Sequence, residues 1–486
     1  MDWGGNITYF GQTSLKGQTV RFGIKDADRL EHVSIIGKTG SGRAALLATM
    51  ALQDIERGIG TVVLDAVGNF TEVLLERLSE NARKRLIYLD PSDAEYPFSW
   101  NPLDDFRKLP KEKALPLLLD LVSALYRAPA SPLIAFAVER MLSEKNATLL
   151  LPYELVRETV FREKMLPKET SERAEFEALL VSEKDSAELI SQNGRYLAKD
   201  TLVRNLLGQQ TSKFTLDALN EGGVIVLDLS RIRMFPTRIT PLVRLFAYAA
   251  RARATEAVVP YAIYMQDCLR CIAQIDIERI FPERRLAFTM SDSIHTEDDA
   301  RLREKAFARS GSIIAFSPNV ADVPLVEKIF FPFIGQEDFS KLETEEIAVA
   351  LSIDAVRSRP FFARAVKIPD RKNVSYHDIQ VAAREQYSSS RSQIDQLFLR
   401  KYAPTALKGK DSDPGSFSDA FRSIFTKRAG DAGSPAQTPS SGPPPPQPSA
   451  SAKVAPKADA NRKSPEVSEE ELRQMLYVDP VRNYGS

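Results

Sequence analysis

The sequence predicts an α/β fold with a largely parallel sheet, and three observations lead to that prediction. Apolar runs of four or five residues, such as Val33–Ile36 and Val224–Asp228, recur along the chain and alternate with helical stretches. Continuous apolar strands of this kind are typical of a parallel sheet covered on both faces. The composition, with 43% hydrophobic and 27% charged residues, is that of a globular protein. A glycine-rich segment at residues 37–44 joins the first strand to a helix.

Seven segments are predicted as strands because each is a short apolar run next to turn-forming or charged residues. They are residues 33–36, 61–65, 86–90, 224–228, 262–265, 286–290 and 312–316. A helix is predicted over residues 44–56, directly after the first strand. Residues 111–208 carry leucine-rich and charged helical patterns without a convincing strand, so they are predicted to form an all-helical insertion.

The predicted organisation has one α/β domain in two parts, residues 1–110 and 209–370, around the helical insertion at 111–208. A helical extension follows at 371–403. Residues 404–486 contain 12 of the 30 prolines, which predicts a disordered tail with polyproline II tendency.

Two short apolar patterns with helical spacing interrupt this tail, one around Phe421 and one around Leu476. Either they are transient helices or they are docking motifs for a partner, and the sequence leaves both interpretations open.

Charge and residue usage exclude several classes of function. The 65 basic and 65 acidic residues balance, so no global positive field draws nucleic acid to the chain, although the balance does not exclude a local basic channel. Three histidines cannot build a histidine-cluster metal site. The pair Cys268 and Cys271 has no second pair to complete a zinc site, and it is interpreted as two core residues.

No apolar run approaches the ~18–20 residues of a membrane span, and the start lacks a signal peptide, so a cytoplasmic protein is expected.

The segment after the first strand has the spacing of a phosphate-binding loop, G-x-x-x-x-G-K-[ST], except at its last two positions. Its residues are Gly37, Lys38, Thr39, Gly40, Ser41, Gly42, Arg43 and Ala44. The glycines let backbone N–H groups turn inward, and the helix that follows adds partial positive charge, so a phosphate cradle is predicted. Arg43 replaces the compact lysine ammonium with a planar fork, and Ala44 lacks the hydroxyl that ligates Mg²⁺. Packing alone is the other explanation of the glycine-rich turn.

Several segments, taken together and in order, resemble the type IV secretion coupling-protein family, the TraD/TraG-like DNA-transfer ATPases of the HerA/FtsK superfamily. The segments are residues 7–11, 22–24, 28–29, 36–44, 52–55, 65–69, 88–93, 100–103, 219–223, 229–231 and 358–361. The resemblance implies a RecA-like P-loop NTPase fold, with the helical insertion similar to the all-α domain of the family. It also implies six-membered rings, ATP with Mg²⁺ as cofactor, and DNA as a partner.

The chain differs from the family at the positions that the family uses for ATP hydrolysis. The apolar strand that ends in Asp-Glu in the family ends here in Gln266, Asp267 and Cys268. Two alignments with the family's Asp-Glu pair are possible. In the direct register, Gln266 and Asp267 occupy the two acidic positions. In the register shifted by one residue, Asp267 and Cys268 occupy them. Ser293 replaces the family's glutamine after the next strand, and Ser317 replaces the arginine after the strand that follows. Phosphoryl transfer depends on such positioned charges, so these changes predict a pseudo-ATPase.

Three functions are consistent with this sequence. The first is a coupling-protein-like component that has lost ATP hydrolysis, binds ATP or ADP at most weakly, and acts as a regulatory or structural subunit. An active paralogue or a secretion-channel component would be its partner in a homo- or hetero-hexamer, and a partner would recruit it to the inner membrane. The second is an active translocase with a rearranged site, in which Asp267 is the metal ligand and Arg43 the phosphate ligand. The third is an interaction scaffold that works through the Pro-rich tail.

Overall fold

The computed structural model describes residues 5–15, 18–271, 285–293, 297–371 and 374–402. The predicted tail at 404–486, with its patterns around Phe421 and Leu476, lies outside the described residues. Within them the strands are β1 (Ile7–Leu15), β2 (Gln18–Lys25), β3 (Val33–Ile36), β4 (Thr61–Asp65), β5 (Leu86–Leu89), β6 (Val224–Asp228), β7 (Tyr261–Gln266), β8 (Leu286–Ser291), β9 (Ser312–Ala315), β10 (Glu346–Ala350), β11 (Ser352–Ile353), β12 (Val356–Arg357) and β13 (Phe361–Ala365).

The helices up to the end of the insertion are α1 (Asp26–Arg29), α2 (Arg43–Glu56), α3 (Asn69–Leu75), α4 (Glu80–Arg83), α5 (Leu103–Phe106), α6 (Lys111–Tyr126), α7 (Pro132–Ser143), α8 (Leu151–Arg157), α9 (Thr159–Met165), α10 (Ser171–Ser182), α11 (Lys184–Lys199) and α12 (Thr201–Leu207). The later helices are α13 (Pro236–Ala254), α14 (Glu297–Ala308), α15 (Val323–Phe330), α16 (Gln336–Ser340), α17 (Tyr376–Tyr387) and α18 (Arg391–Tyr402).

Eleven of the strands form one mixed sheet in the order β2-β1-β13-β10-β9-β3-β8-β7-β4-β6-β5. The seven strands from β9 to β5 run parallel, and they are the seven strands predicted from the sequence, each within one residue of its expected bounds. The predicted α/β class with a largely parallel sheet is therefore confirmed. In the described residues β11 and β12 form a separate two-stranded sheet.

The strands β1, β2, β10 and β13 extend the sheet in antiparallel fashion, and the sequence did not predict them. In β2, Phe22 and Ile24 are buried whereas Gln18, Thr19 and Arg21 are exposed. A strand with one buried face alternates apolar and polar residues, so it lacks the continuous apolar run on which the seven predictions relied.

The chain between β5 and β6 is helical, from α5 through α12, apart from a short 3₁₀ turn at Leu216–Glu221. This agrees with an all-helical insertion, although the domain bounds at 111 and 208 stay a prediction. None of the described helices is both long and apolar enough to span a membrane. The described residues up to Asp395 lie in one compact unit, and residues 396–402 belong to a second one.

An ion pair with no solvent exposure connects four elements of the first unit. Arg29 of α1 donates through Nη1 to Asp54 Oδ1 of α2 at 2.7 Å, and both side chains are 0% exposed. The Tyr264 hydroxyl of β7 donates to Asp54 Oδ2 at 2.6 Å and accepts from Arg29 Nη2 at 2.9 Å. Thr8 Oγ1 of β1 accepts from Arg29 Nη1 at 3.1 Å. The position of α2 relative to the sheet is therefore fixed by charge-assisted hydrogen bonds as well as by packing.

The charge state of this cluster follows from its geometry. Burial alone would raise the pKa of Asp54, but Arg29, with the Tyr264 hydroxyl and Arg57, holds that pKa below its ordinary value. The stability that the carboxylate contributes is thus present at neutral pH and is lost as the pH falls through the lowered pKa.

Removal of the Tyr264 hydroxyl tests this cluster. We expect Tyr264→Phe to lower the free energy of unfolding by about 1–3 kcal/mol, because Asp54 loses a buried hydrogen-bond donor. Urea unfolding of the full chain measures the change. Tyr196→Phe is the matched control, because Tyr196 on α11 is 70% exposed and should shift the midpoint little. Equal midpoints for the two variants would contradict the assignment.

Candidate nucleotide-binding site

The loop between β3 and α2 has the backbone of an anion cradle. Gly40 and Gly42 have φ values of 81° and 112°, in the left-handed region that favours glycine. Gly42 is the N-cap of the 14-residue helix α2, and no side chain caps the first turn of that helix. The N–H groups of the first turn are thus available to an anion at the loop.

Packing explains two of the three loop glycines. A Cβ on Gly37 would lie 2.7 Å from Phe316 Cβ, and one on Gly42 would lie 3.1 Å from Phe316 Cε1. A Cβ on Gly40, in contrast, would meet no atom within 4 Å. Packing therefore accounts for Gly37, packing and backbone conformation together account for Gly42, and the backbone conformation of the exposed loop tip accounts for Gly40.

The remaining loop residues divide between solvent and the protein. Lys38 and Thr39 are exposed, as is the loop tip. The backbone N–H of Lys38 donates to the Ser317 carbonyl oxygen at 2.9 Å, so Ser317 contributes its main chain to the loop. The N–H of Ser41 donates back to the Lys38 carbonyl oxygen at 3.2 Å, which occupies one of the inward-facing donors.

Arg43 occupies the lysine position of the loop, but its side chain forms hydrogen bonds to residues outside the loop. The side chain is buried, with Nη1 donating to Ser291 Oγ at 3.2 Å and Nη2 to Ser293 Oγ at 2.9 Å. Nη1 lies 4.0 Å from Asp267 Oδ1. The guanidinium therefore lies at the carboxyl ends of β7 and β8, where it partly neutralises Asp267.

The surroundings of Asp267 and Cys268 distinguish the two possible alignments of the end of β7 with the family's Asp-Glu pair. Asp267 faces Arg43, and its Oδ1 accepts the Ser293 N–H at 2.7 Å. Cys268 is fully buried with Sγ 3.4 Å from the Leu64 carbonyl oxygen, and burial raises the pKa of its thiol well above the ordinary value. Because a buried neutral thiol cannot serve as a base, the geometry favours the direct register. Gln266, also buried, keeps its Oε1 without a hydrogen-bond partner among the described residues.

Three buried charged residues that the sequence analysis did not identify complete a strand-end charge cluster with Arg43 and Asp267. Arg303 of α14 donates through Nη1 to Asp322 Oδ1 at 2.6 Å and through Nη2 to the Asp292 carbonyl oxygen. Burial, together with the nearby Asp267, raises the pKa of Asp292 to about 7. The cluster thus balances its two guanidinium groups against neighbouring carboxylates within the protein. No local sequence pattern distinguished Arg303 from other helical arginines.

Asp65, the acidic residue at the end of the neighbouring strand β4, stabilises the turn that follows it. Its Oδ1 accepts the N–H groups of Val67 and Gly68 at 2.8 and 2.9 Å, and its Oδ2 accepts that of Thr71 at 2.8 Å. These bonds hold the turn into α3, so this carboxylate is engaged by backbone donors.

The side chains present do not fit a magnesium ion. Ala44 supplies no oxygen ligand, and Asp267 faces the Arg43 guanidinium. Among the described residues, no group of three or more His, Cys, Asp or Glu side chains is placed to hold a metal. The backbone cradle does fit phosphate oxygens, because its donors need no metal.

No known protein family matches the chain by sequence, and neither does any curated protein. Solved structures of plasmid coupling protein TrwB are similar in three dimensions. The complex with the non-hydrolysable ATP analogue ADPNP has a TM-score of 0.53 at 12% identity, over 77% of this chain and 98% of that one. The complex with the GTP analogue GDPNP gives 0.52 at 12% identity, over 73% and 89%. The unbound monoclinic form of the conjugative coupling protein TrwBΔN70 gives 0.51 at 12% identity, over 75% and 90%. The predicted P-loop NTPase fold is thereby confirmed, and this chain has the fold of the conjugative coupling protein TrwB.

Proposed function

We propose that the chain is a coupling-protein-like component of a type IV secretion system for DNA transfer, and that it does not hydrolyse ATP at a functional rate. The fold that it shares with TrwB supports the first part. The observation that carries the second part is the placement of Arg43. Its guanidinium is bonded to Ser291 and Ser293 beside Asp267, instead of being free to reach a β- or γ-phosphate.

The magnitude of the changes favours loss of turnover over a mild defect. Removing one preorganised charge-stabilising group typically slows an enzyme by about 10²–10³, although such effects are not additive. Four kinds of group differ here: the loop lysine, the magnesium-binding hydroxyl, one strand-end carboxylate, and the groups at Ser293 and Ser317 that would sense or neutralise the γ-phosphate. One change could be compensated by a neighbour, whereas the set leaves few charges for the reaction.

The cofactor role that fits this site is weak binding of ATP or ADP through backbone donors. The first turn of α2 and the loop tip at Gly40 present N–H groups to phosphate, as supported by the loop geometry. A metal would find no hydroxyl at Ala44. Binding should therefore depend on the phosphates and little on Mg²⁺.

The partners that fit this role are DNA and an active paralogue or channel component. A subunit without turnover contributes by occupying a position in a ring or by regulating an active neighbour, in a homo- or hetero-hexamer. Recruitment to the inner membrane would depend on such a partner.

A rearranged but active site is the alternative that a specific observation favours. Asp267 faces the phosphate loop and has Arg43 and the nearby Arg303 as positive neighbours. These charges resemble the acid and the cations that phosphoryl transfer needs, in other positions. A scaffold acting through the Pro-rich tail concerns residues outside the described structure.

Turnover measurements separate the proposed function from the rearranged site. We expect the purified chain to release phosphate from ATP far more slowly than about one per second, with single-stranded or duplex DNA present. Turnover at about that rate, abolished by Asp267→Ala, would instead establish the rearranged site.

A combined revertant is the positive control for the same assay. The variant carries Arg43→Lys, Ala44→Thr, Gln266→Asp and Asp267→Glu, which restores the groups that the family resemblance implies. Phosphate release by the revertant alone would show that the scaffold persists and that the chemistry was lost at these positions.

Nucleotide titration tests the predicted metal independence. We expect the affinity of the full chain for ADP to be the same, within experimental error, with Mg²⁺ and with EDTA. Ala44→Thr is the matched variant, because its hydroxyl supplies the missing ligand and should make ADP binding stronger with Mg²⁺. A wild-type affinity that falls on metal removal would contradict the site as described.

A further inference from the structure

The phosphate loop has no free cation at its usual lysine position. Arg43 stands there, and its two Nη atoms donate to the hydroxyl groups of Ser291 and Ser293. A phosphate that enters the loop is therefore met by the uncapped first turn of α2 and by those loop side chains that have no other partner. Two polar side chains of the loop meet this condition, Lys38 and Ser41.

Lys38 combines a fixed main chain with an unengaged side chain. Its N–H donates to the Ser317 carbonyl oxygen at 2.9 Å, and its own carbonyl oxygen accepts the Ser41 N–H at 3.2 Å. The side chain is exposed and forms no ion pair with any of the described residues. Because the main chain is held on both sides, the ammonium group stays close to the loop without being neutralised by the protein.

Ser41 is the second unengaged side chain, and it is buried. The residue is 5% exposed, and its Oγ has no hydrogen-bond partner among the described residues. This Oγ lies inside the loop, 2.7 Å from the point where a Cβ on Gly37 would stand. A buried hydroxyl without a partner lowers the stability of the ligand-free protein. Its presence inside a phosphate loop indicates a hydrogen bond that is completed by a ligand.

We infer that Lys38 and Ser41 supply the cation and the hydroxyl that the last two loop positions no longer provide, an inference that rests on the proposed weak binding of nucleotide. The ligand group is the terminal phosphate of a nucleoside diphosphate. Lys38 Nζ donates a charge-assisted hydrogen bond to one of its oxygens. The Ser41 hydroxyl turns about χ1 from Gly37 to the phosphate and donates a second one. The loop tip leaves room for this, since a Cβ on Gly40 would meet no atom within 4 Å.

The test is calorimetric titration of the full chain with ADP in the presence of EDTA. We expect Lys38→Ala to weaken ADP binding by about tenfold, because a charge-assisted hydrogen bond is lost. Lys38→Arg should keep most of the affinity, because the positive charge remains.

Ser41→Ala has an expected signature that a merely structural residue would not give. It should weaken ADP binding by about fivefold, because one neutral hydrogen bond to the ligand is lost. The same variant should raise the urea midpoint of the ligand-free chain, because a buried hydroxyl without a partner is removed. A serine that only stabilises the loop would instead lower that midpoint.

Matched controls exist for both changes. Ser123 on α6 also has a buried Oγ without a partner among the described residues, so Ser123→Ala should raise the urea midpoint but leave ADP affinity unchanged. Lys145→Ala removes an exposed lysine of the helical insertion and should also leave ADP affinity unchanged. Inorganic pyrophosphate is the second ligand: weaker binding than ADP, with the same dependence on Lys38, would support a nucleotide as the ligand.

Four results would overturn the inference. They are an unchanged ADP affinity in Lys38→Ala, a lowered midpoint in Ser41→Ala, pyrophosphate binding as strong as that of ADP, and no binding of ADP to the wild type. The last result would leave the proposed loss of hydrolysis standing. ATP turnover would refute the proposed function without deciding the roles of Lys38 and Ser41, because the titrations contain no ATP.

Discussion

The buried ion pair between Arg29 and Asp54 is the constraint on which the candidate site depends. It holds helix α2 against β7 and the N-terminal strand β1 by hydrogen bonds that no water can replace. Because the phosphate loop is the direct N-terminal continuation of α2, its position relative to β7 and β8 is set from the far end of the helix. An uncompensated charge at either residue would be costly inside the protein, so the two residues constrain each other.

At the other end of α2, the strand-end charge cluster is balanced without a ligand. In a working phosphate loop, the nucleotide and its metal supply the charges that the strand-end acids and the loop lysine meet. Here Arg43 turns toward Asp267, and Arg303 is enclosed by Asp322 and the Asp292 backbone. The two guanidinium groups at the carboxyl edge of the sheet are thus engaged within the protein, whereas the buried oxygens Gln266 Oε1, Asp292 Oδ2 and Asp322 Oδ2 have no hydrogen-bond partner among the described residues.

The sequence predicted the features that local patterns encode and missed those that depend on distant residues. The seven parallel strands were predictable because each is buried on both faces and therefore continuously apolar. The antiparallel strand β2 was missed because one of its faces is polar, whereas β10 was missed although residues 347–350 are apolar and buried. Arg43 and Ala44 were found because loop spacing is local. Arg303 and Asp322 could not be, since only the packing of α14 against the end of β8 brings that arginine to the site.

The order of the strands has a consequence for how the chain acquires this structure during synthesis. Strand β3, which carries the loop, lies between β8 and β9, and both come from the last part of the sheet to be made. The first strand, β1, likewise pairs with β13. In a nascent chain that has produced only the loop, α2 and β4, both edges of the apolar strand β3 therefore stay unpaired until residues 286–315 emerge. Such long-range pairing slows folding and leaves aggregation-prone edges exposed in the meantime. The helical insertion can form during that interval together with α13, which contacts α6 of the insertion and is also made before residues 286–315.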